Sequence, residues 1–174
     1  LLRQGGTDVP AIAVLEGLAH EPAVQALMLD ILDQPPMKTI NSRYAALLVL
    51  GESGEARHVP RSLVELRQAA SMDPKIAAGE LGPIIALSAI GGDAGYEGLV
   101  EALDIVTPDT FWIAAEHLAQ TDRPEALPHL HRALRRFDWP HMTNTFNRVA
   151  DVIRDLEQTA DVPLTPRREL YAAV

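Results

Sequence analysis

Cysteine is absent from the 174 residues, which removes disulfide frameworks, thiol nucleophiles and cysteine–zinc sites from consideration. Aromatic residues make up only 5%. Runs rich in Val, Ile and Thr with sustained period-2 alternation are also missing, so little here favours a sheet. The longest apolar runs, such as Ala45 to Leu50, fall far short of the ~20 residues that span a bilayer. The N-terminus lacks the basic-then-apolar layout of a secretory signal. A cytoplasmic protein with no membrane partner is therefore expected. Positive charge is scarce: Lys plus Arg number 15 against 24 acids, a formal net charge of −9. A pI near 5.0 repels phosphates rather than releasing their counterions, which argues against nucleic acid as a partner. Gly-x-Ser-x-Gly, a P-loop and His-Glu-x-x-His are all missing, so no catalytic residue, metal or cofactor is expected. The chain opens on Leu1 rather than Met, as a fragment of a longer protein would.

What is present is aliphatic and small. Ala (25) and Leu (23) dominate a composition that is 47% hydrophobic, as in closely packed helices. Asp73-Pro74, Thr107-Pro108 and Thr165-Pro166 each place a capping side chain before a proline suited to the first helical position. Asp122-Arg123-Pro124-Glu125 comes close to a capping box. Apolar residues follow helical spacing at Tyr96, Leu99, Val100 and Leu103, at Leu127, Leu130 and Leu134, and at Val59, Leu63 and Leu66. The pattern predicts one all-α domain over residues 1–174. Its ten helices form five hairpins, at about 9–33, 39–70, 74–106, 108–136 and 142–173. Gly79, Gly82 and Pro83 threaten to break the fifth helix.

A repeated step runs through this pattern. Leu18-Ala19, Leu50-Gly51, Ile90-Gly91, Leu118-Ala119 and, more weakly, Leu156-Glu157 each end the first helix of a hairpin. The steps average 34.5 residues. The small residue lets the chain leave the helix and lets a neighbouring helix approach. Each hairpin leaves an apolar stripe that only a stacked neighbour can bury, which predicts a right-handed α-solenoid. The stretch HLAQTDRPEALPHLHRAL (His117 to Leu134) resembles a HEAT repeat of the bacterial, phycobilisome-lyase-like type, with Leu118-Ala119 in place of Leu-Gly. NSRYAALLVLG (Asn41 to Gly51) resembles the first helix of such a repeat. The resemblance implies a binding scaffold, with a chromophore lyase or metal-dependent hydroxylase on the same scaffold as the alternative. Against the hydroxylase, only His20-Glu21 has the His-Glu order of the HEAT-repeat di-iron enzymes, and it falls in a predicted turn. The six His are expected to lie at the surface or at caps. Gly91 to Gly95 reads as a turn between helices rather than a phosphate loop.

Charge distribution is the most informative feature. From Ile76 to Asp122 the chain has no Lys or Arg and eight acids. Glu97, Glu101 and Asp104 fall at i, i+4 and i+7, a spacing at which like charges destabilise a helix by about 0.2–0.5 kcal/mol per pair. Two accounts fit. Aligning Leu99 with Leu130 sets Glu101 opposite Arg132 and Asp104 opposite Arg135, an internal salt-bridge ladder. Alternatively the stripe docks a basic protein or peptide. Trp112 is expected in the core. Trp139, between two hairpins, either caps the core or offers a surface anchor. The predicted partner surface comprises Glu97, Glu101, Asp104, Arg132, Arg135 and Trp139.

Overall fold

The protein is seen in a computed structural model that describes residues 9–34, 40–72, 78–137, 143–166 and 169–170. Among these there are nine α-helices and no strand: α1 (Val9–Gly17), α2 (Pro22–Asp33), α3 (Ile40–Glu52), α4 (Val59–Ala70), α5 (Ala78–Ile90), α6 (Gly92–Ala102), α7 (Pro108–Ala119), α8 (Ala126–Leu134) and α9 (Thr143–Thr159). A 3-10 turn, Ala56–His58, leads into α4. The expected tenth helix shows only its opening, where the N–H groups of Glu169 and Leu170 reach the Pro166 carbonyl and Leu170 joins the core. The expected cap at Asp73-Pro74 and the start of the ninth helix at Met142 lie outside the described residues.

The odd-numbered helices pack in sequence, α1 on α3, α3 on α5, α5 on α7 and α7 on α9, while α4 packs on α6. Contacts also cross the expected hairpin boundaries, with α2 against α3 and α4 against α5. The apolar stripes bury as their spacing requires: Leu63, Leu66, Leu99, Leu103, Leu130 and Leu134 all lie in one core cluster. A second cluster gathers Met28, Ile31, Leu32, Ala45, Ala46, Leu47, Val49 and Leu50. Helix α5 serves both, giving Ile84 and Leu87 to the first and Ala86 to the second.

Two departures from expectation follow from how α5 is held. Gly51 does not end α3, which runs on to Glu52; the chain turns at Gly54, whose φ is 66°. Gly51 instead lets α5 come close, since a Cβ there would lie 2.8 Å from Ala86 Cα. Nor do Gly82 and Pro83 break α5, which is continuous from Ala78 to Ile90. Gly82 faces Tyr44 and Leu47 of α3, where a Cβ would sit 3.1 Å from the tyrosine ring. The close α3–α5 crossing thus has a glycine on each side, and the tighter contact is at Gly51. The chain does leave α5 at Gly91, with φ 66°, as the Ile90-Gly91 step predicts.

The expected capping box at Asp122 does not form. Asp122 takes a positive φ of 54°, whereas an N-cap residue is extended, and α8 starts later, at Ala126. Thr107 is the N-cap of α7 with Pro108 at the first position, as expected, but its side chain makes no capping bond. Its backbone N–H donates instead to Oε2 of the fully buried Glu80 of α5 at 3.0 Å, and Thr110 Oγ1 donates to the same oxygen. Glu157 of α9 does the same for the Thr165-Pro166 start, accepting from the N–H (2.9 Å) and hydroxyl of Thr165.

Candidate functional site

The predicted acidic stripe lies on α6 and the turn after it. Glu97 and Glu101 are exposed on the helix, but α6 ends at Ala102, so Asp104 sits in the following turn. That departure from helical spacing changes the pairing. Asp104 bonds Arg132 of α8 at 3.1 Å, not Arg135, and Glu101 bonds Arg67 of α4, not Arg132. Arg136, at the end of α8, fixes this register by donating to the carbonyls of Leu103 and Val106. At Leu103, the C-cap of α6, it meets a carbonyl at the helix end. Arg135 is exposed and has no ion pair among the described residues.

The outcome is a ladder with a third rung that the charge pattern alone did not reveal. Asp33 of α2 bonds Arg61 of α4 at 2.7 Å, Arg67 of α4 bonds Glu101 of α6, and Asp104 after α6 bonds Arg132 of α8. Each even-numbered helix is thereby tied to the next. Both partners of the last two rungs remain about half exposed, from 48 to 57%. A neighbouring pair, Asp93–Arg123 at 2.8 Å, joins the start of α6 to the turn before α8. Glu97 has no cationic partner among the described residues and stands exposed between these ties. Arg67 was findable in principle, because it precedes Glu101 by 34 residues, close to the mean repeat step.

Deeper polar groups hold the N-terminal half. Arg43 of α3 forks onto Glu65 of α4, which is 6% exposed and also accepts from Arg61 at 3.1 Å. Gln25 of α2 donates to Ala19 O (2.9 Å) and Glu55 Oε1 (2.6 Å), and its own Oε1 accepts from Arg57. His58 lies 3.3 Å from that same oxygen. His58 is buried, not at the surface as expected. Its pKa is lowered by burial first and by the Arg57 charge second, with Glu55 opposing. His117 of α7 meets Ser88 Oγ of α5 at 3.0 Å, and burial lowers its pKa against the pull of Glu116. Among the described residues, no three His, Asp or Glu side chains converge as a metal-holding group. No helix there is long and apolar enough to cross a membrane.

Trp112 is not the fully buried core residue that its apolar neighbours predicted. Trp112 packs against the core only in part, and the Arg148 guanidinium lies 3.8 Å from its ring centroid. Trp139 lies outside the described residues. No protein-family model, curated protein or solved structure matches this chain at a significant level.

Proposed function

We propose that this chain is a HEAT-like α-solenoid that acts as a non-enzymatic scaffold, binding a basic protein or peptide along the concave face formed by its even-numbered helices. The carrying observation is the ladder, which ties α2, α4, α6 and α8 in a row and leaves Glu97 exposed with no cationic partner among the described residues. The sequential packing of odd-numbered helices supports the solenoid, because a stacked array needs each hairpin to touch the next. Exposed ion pairs are worth only about 0–1 kcal/mol each. A partner's Lys or Arg can therefore replace Arg67 at Glu101 or Arg132 at Asp104 at little cost, with Arg135 at the edge of the contact. Complementary charge would set on-rate and partner choice more than raw affinity.

The test is a titration of a lysine-rich peptide, followed by fluorescence anisotropy, against wild type and two charge reversals. Glu97→Lys changes the proposed face. Glu116→Lys makes the same change in net charge on α7, in the other row, where Glu116 is exposed and without an ion pair among the described residues. Glu97→Lys is expected to weaken binding about tenfold, or 1.4 kcal/mol, and Glu116→Lys less than about twofold. Equal losses would mean that the peptide senses only net charge, and the face would lose its role.

A further inference from the structure

The other end of the charge scale offers a second site, on α7 and the first turns of α9. Trp112, Asn144, Thr145, Asn147 and Arg148 line an open cavity of about 460 Å³, within the range of small-molecule sites. Its lining holds one cation, two amides, one hydroxyl and no carboxylate among the described residues, in a protein of net charge −9. Arg148 is exposed and makes no ion pair or hydrogen bond among the described residues; its one contact of this kind is the stack on Trp112 at 3.8 Å. Stacking fixes the plane of the guanidinium and leaves its N–H edge free, which is the arrangement that grips a carboxylate or phosphate by two parallel bonds. The stack restricts the side chain before a ligand arrives, which lowers the ordering cost of binding. Asn144 and Thr145 add neutral donors at the start of the described part of α9.

We infer that this cavity binds a small-molecule oxyanion, a phosphate or carboxylate, held in a fork by Arg148 and seated against Trp112. The site is independent of the basic-partner face: it lies on other helices and selects the opposite charge, so either can fail without the other.

Phenyl phosphate and benzoate are the probes, one for each oxyanion, titrated calorimetrically into the whole chain at constant ionic strength. At least one should give a saturable one-to-one isotherm, and its affinity relative to the other identifies the preferred group. In a nitrogen–proton spectrum the indole N–H signal of Trp112, assigned by its loss in Trp112→Phe, should shift along the same binding curve. Arg148→Ala, with helicity checked by circular dichroism, should lower affinity at least about tenfold. Arg148→Lys keeps the charge but not the fork and should lose about threefold or more. Three results would overturn the inference: no saturable heat with either probe up to about 20 mM, unchanged affinity in Arg148→Ala, or equal affinity in Arg148→Lys. A shift confined to the Trp139 indole would also overturn it, because the ligand would then sit elsewhere.

Discussion

Gly51 shows how much one hydrogen in place of a methyl group decides. It lies inside α3, where alanine is intrinsically better than glycine by about 1 kcal/mol. The helix nevertheless carries glycine, because a Cβ would stand 2.8 Å from Ala86 Cα and 3.0 Å from Ala86 O. Both obstacles are backbone of a fully buried residue, so neither can swing aside. Forcing α3 and α5 apart costs about 1–3 kcal/mol, which outweighs the propensity gain. Gly51→Ala is therefore expected to lower unfolding free energy by about 1–2 kcal/mol in urea titration with an unchanged slope. Gly17 is the control, with nothing within 4 Å of a built Cβ; Gly17→Ala should be neutral or stabilising by up to about 1 kcal/mol. Stabilisation by Gly51→Ala would show that the two helices do not cross this closely.

Helix α7 depends on a residue it does not contain. Its N-cap N–H and the Thr110 hydroxyl both end on Glu80 Oε2, in a helix that begins 30 residues before α7. The other oxygen of that fully buried carboxylate, Oε1, has no hydrogen-bond partner among the described residues. Two substitutions separate the acceptor from the charge. Glu80→Ala leaves the donors of α7 buried without an acceptor and should cost about 2–3 kcal/mol. Glu80→Gln can keep an oxygen on the two threonines and turn its amide toward the place of Oε1, so about 1 kcal/mol or less is expected. Chemical denaturation measures both. Equal losses would assign the stabilisation to the charge at the helix N-terminus rather than to the hydrogen bonds. The same device at Glu157 and Thr165 makes an upstream glutamate a recurrent cap in this chain.

At the scale of the molecule, one buried and one half-buried imidazole couple folding to pH. His58 sits where α2 meets the turn before α4, and His117 joins α7 to α5. Burial lowers both pKa values below the usual 6.5, so the fold holds the neutral forms. Above pH 6.5 folded and unfolded chains are alike neutral at these sites, and stability has its full value. As pH falls below that value the unfolded chain takes up protons that the folded chain does not, and stability drops until the lowered folded values are passed. Melting temperature should therefore decline from about pH 7.5 to about pH 5. The double variant His58→Gln with His117→Gln should flatten that decline. An unchanged slope in the variant would place the linkage on other groups.

The helices were legible because their causes are local. Periodic leucines, Thr107-Pro108 and Ile90-Gly91 act over one or two turns, and there the expected and observed elements agree within a few residues. Close approach at Gly51 was legible as well, although not that the helix would continue past it. The pairing of charges was not. Glu101, Asp104 and Arg132 were recognised as ladder members, yet their partners depend on where α6 ends and on Arg136 anchoring α8 to the Leu103 and Val106 carbonyls. Burial of His58, the Glu80 cap and the Arg148–Trp112 stack likewise join residues about 30 or more apart along the chain. Local spacing reports which side of a helix is apolar. The sliding of one helix along another is set only when side chains from several of them fill the same space, and no single segment carries that information.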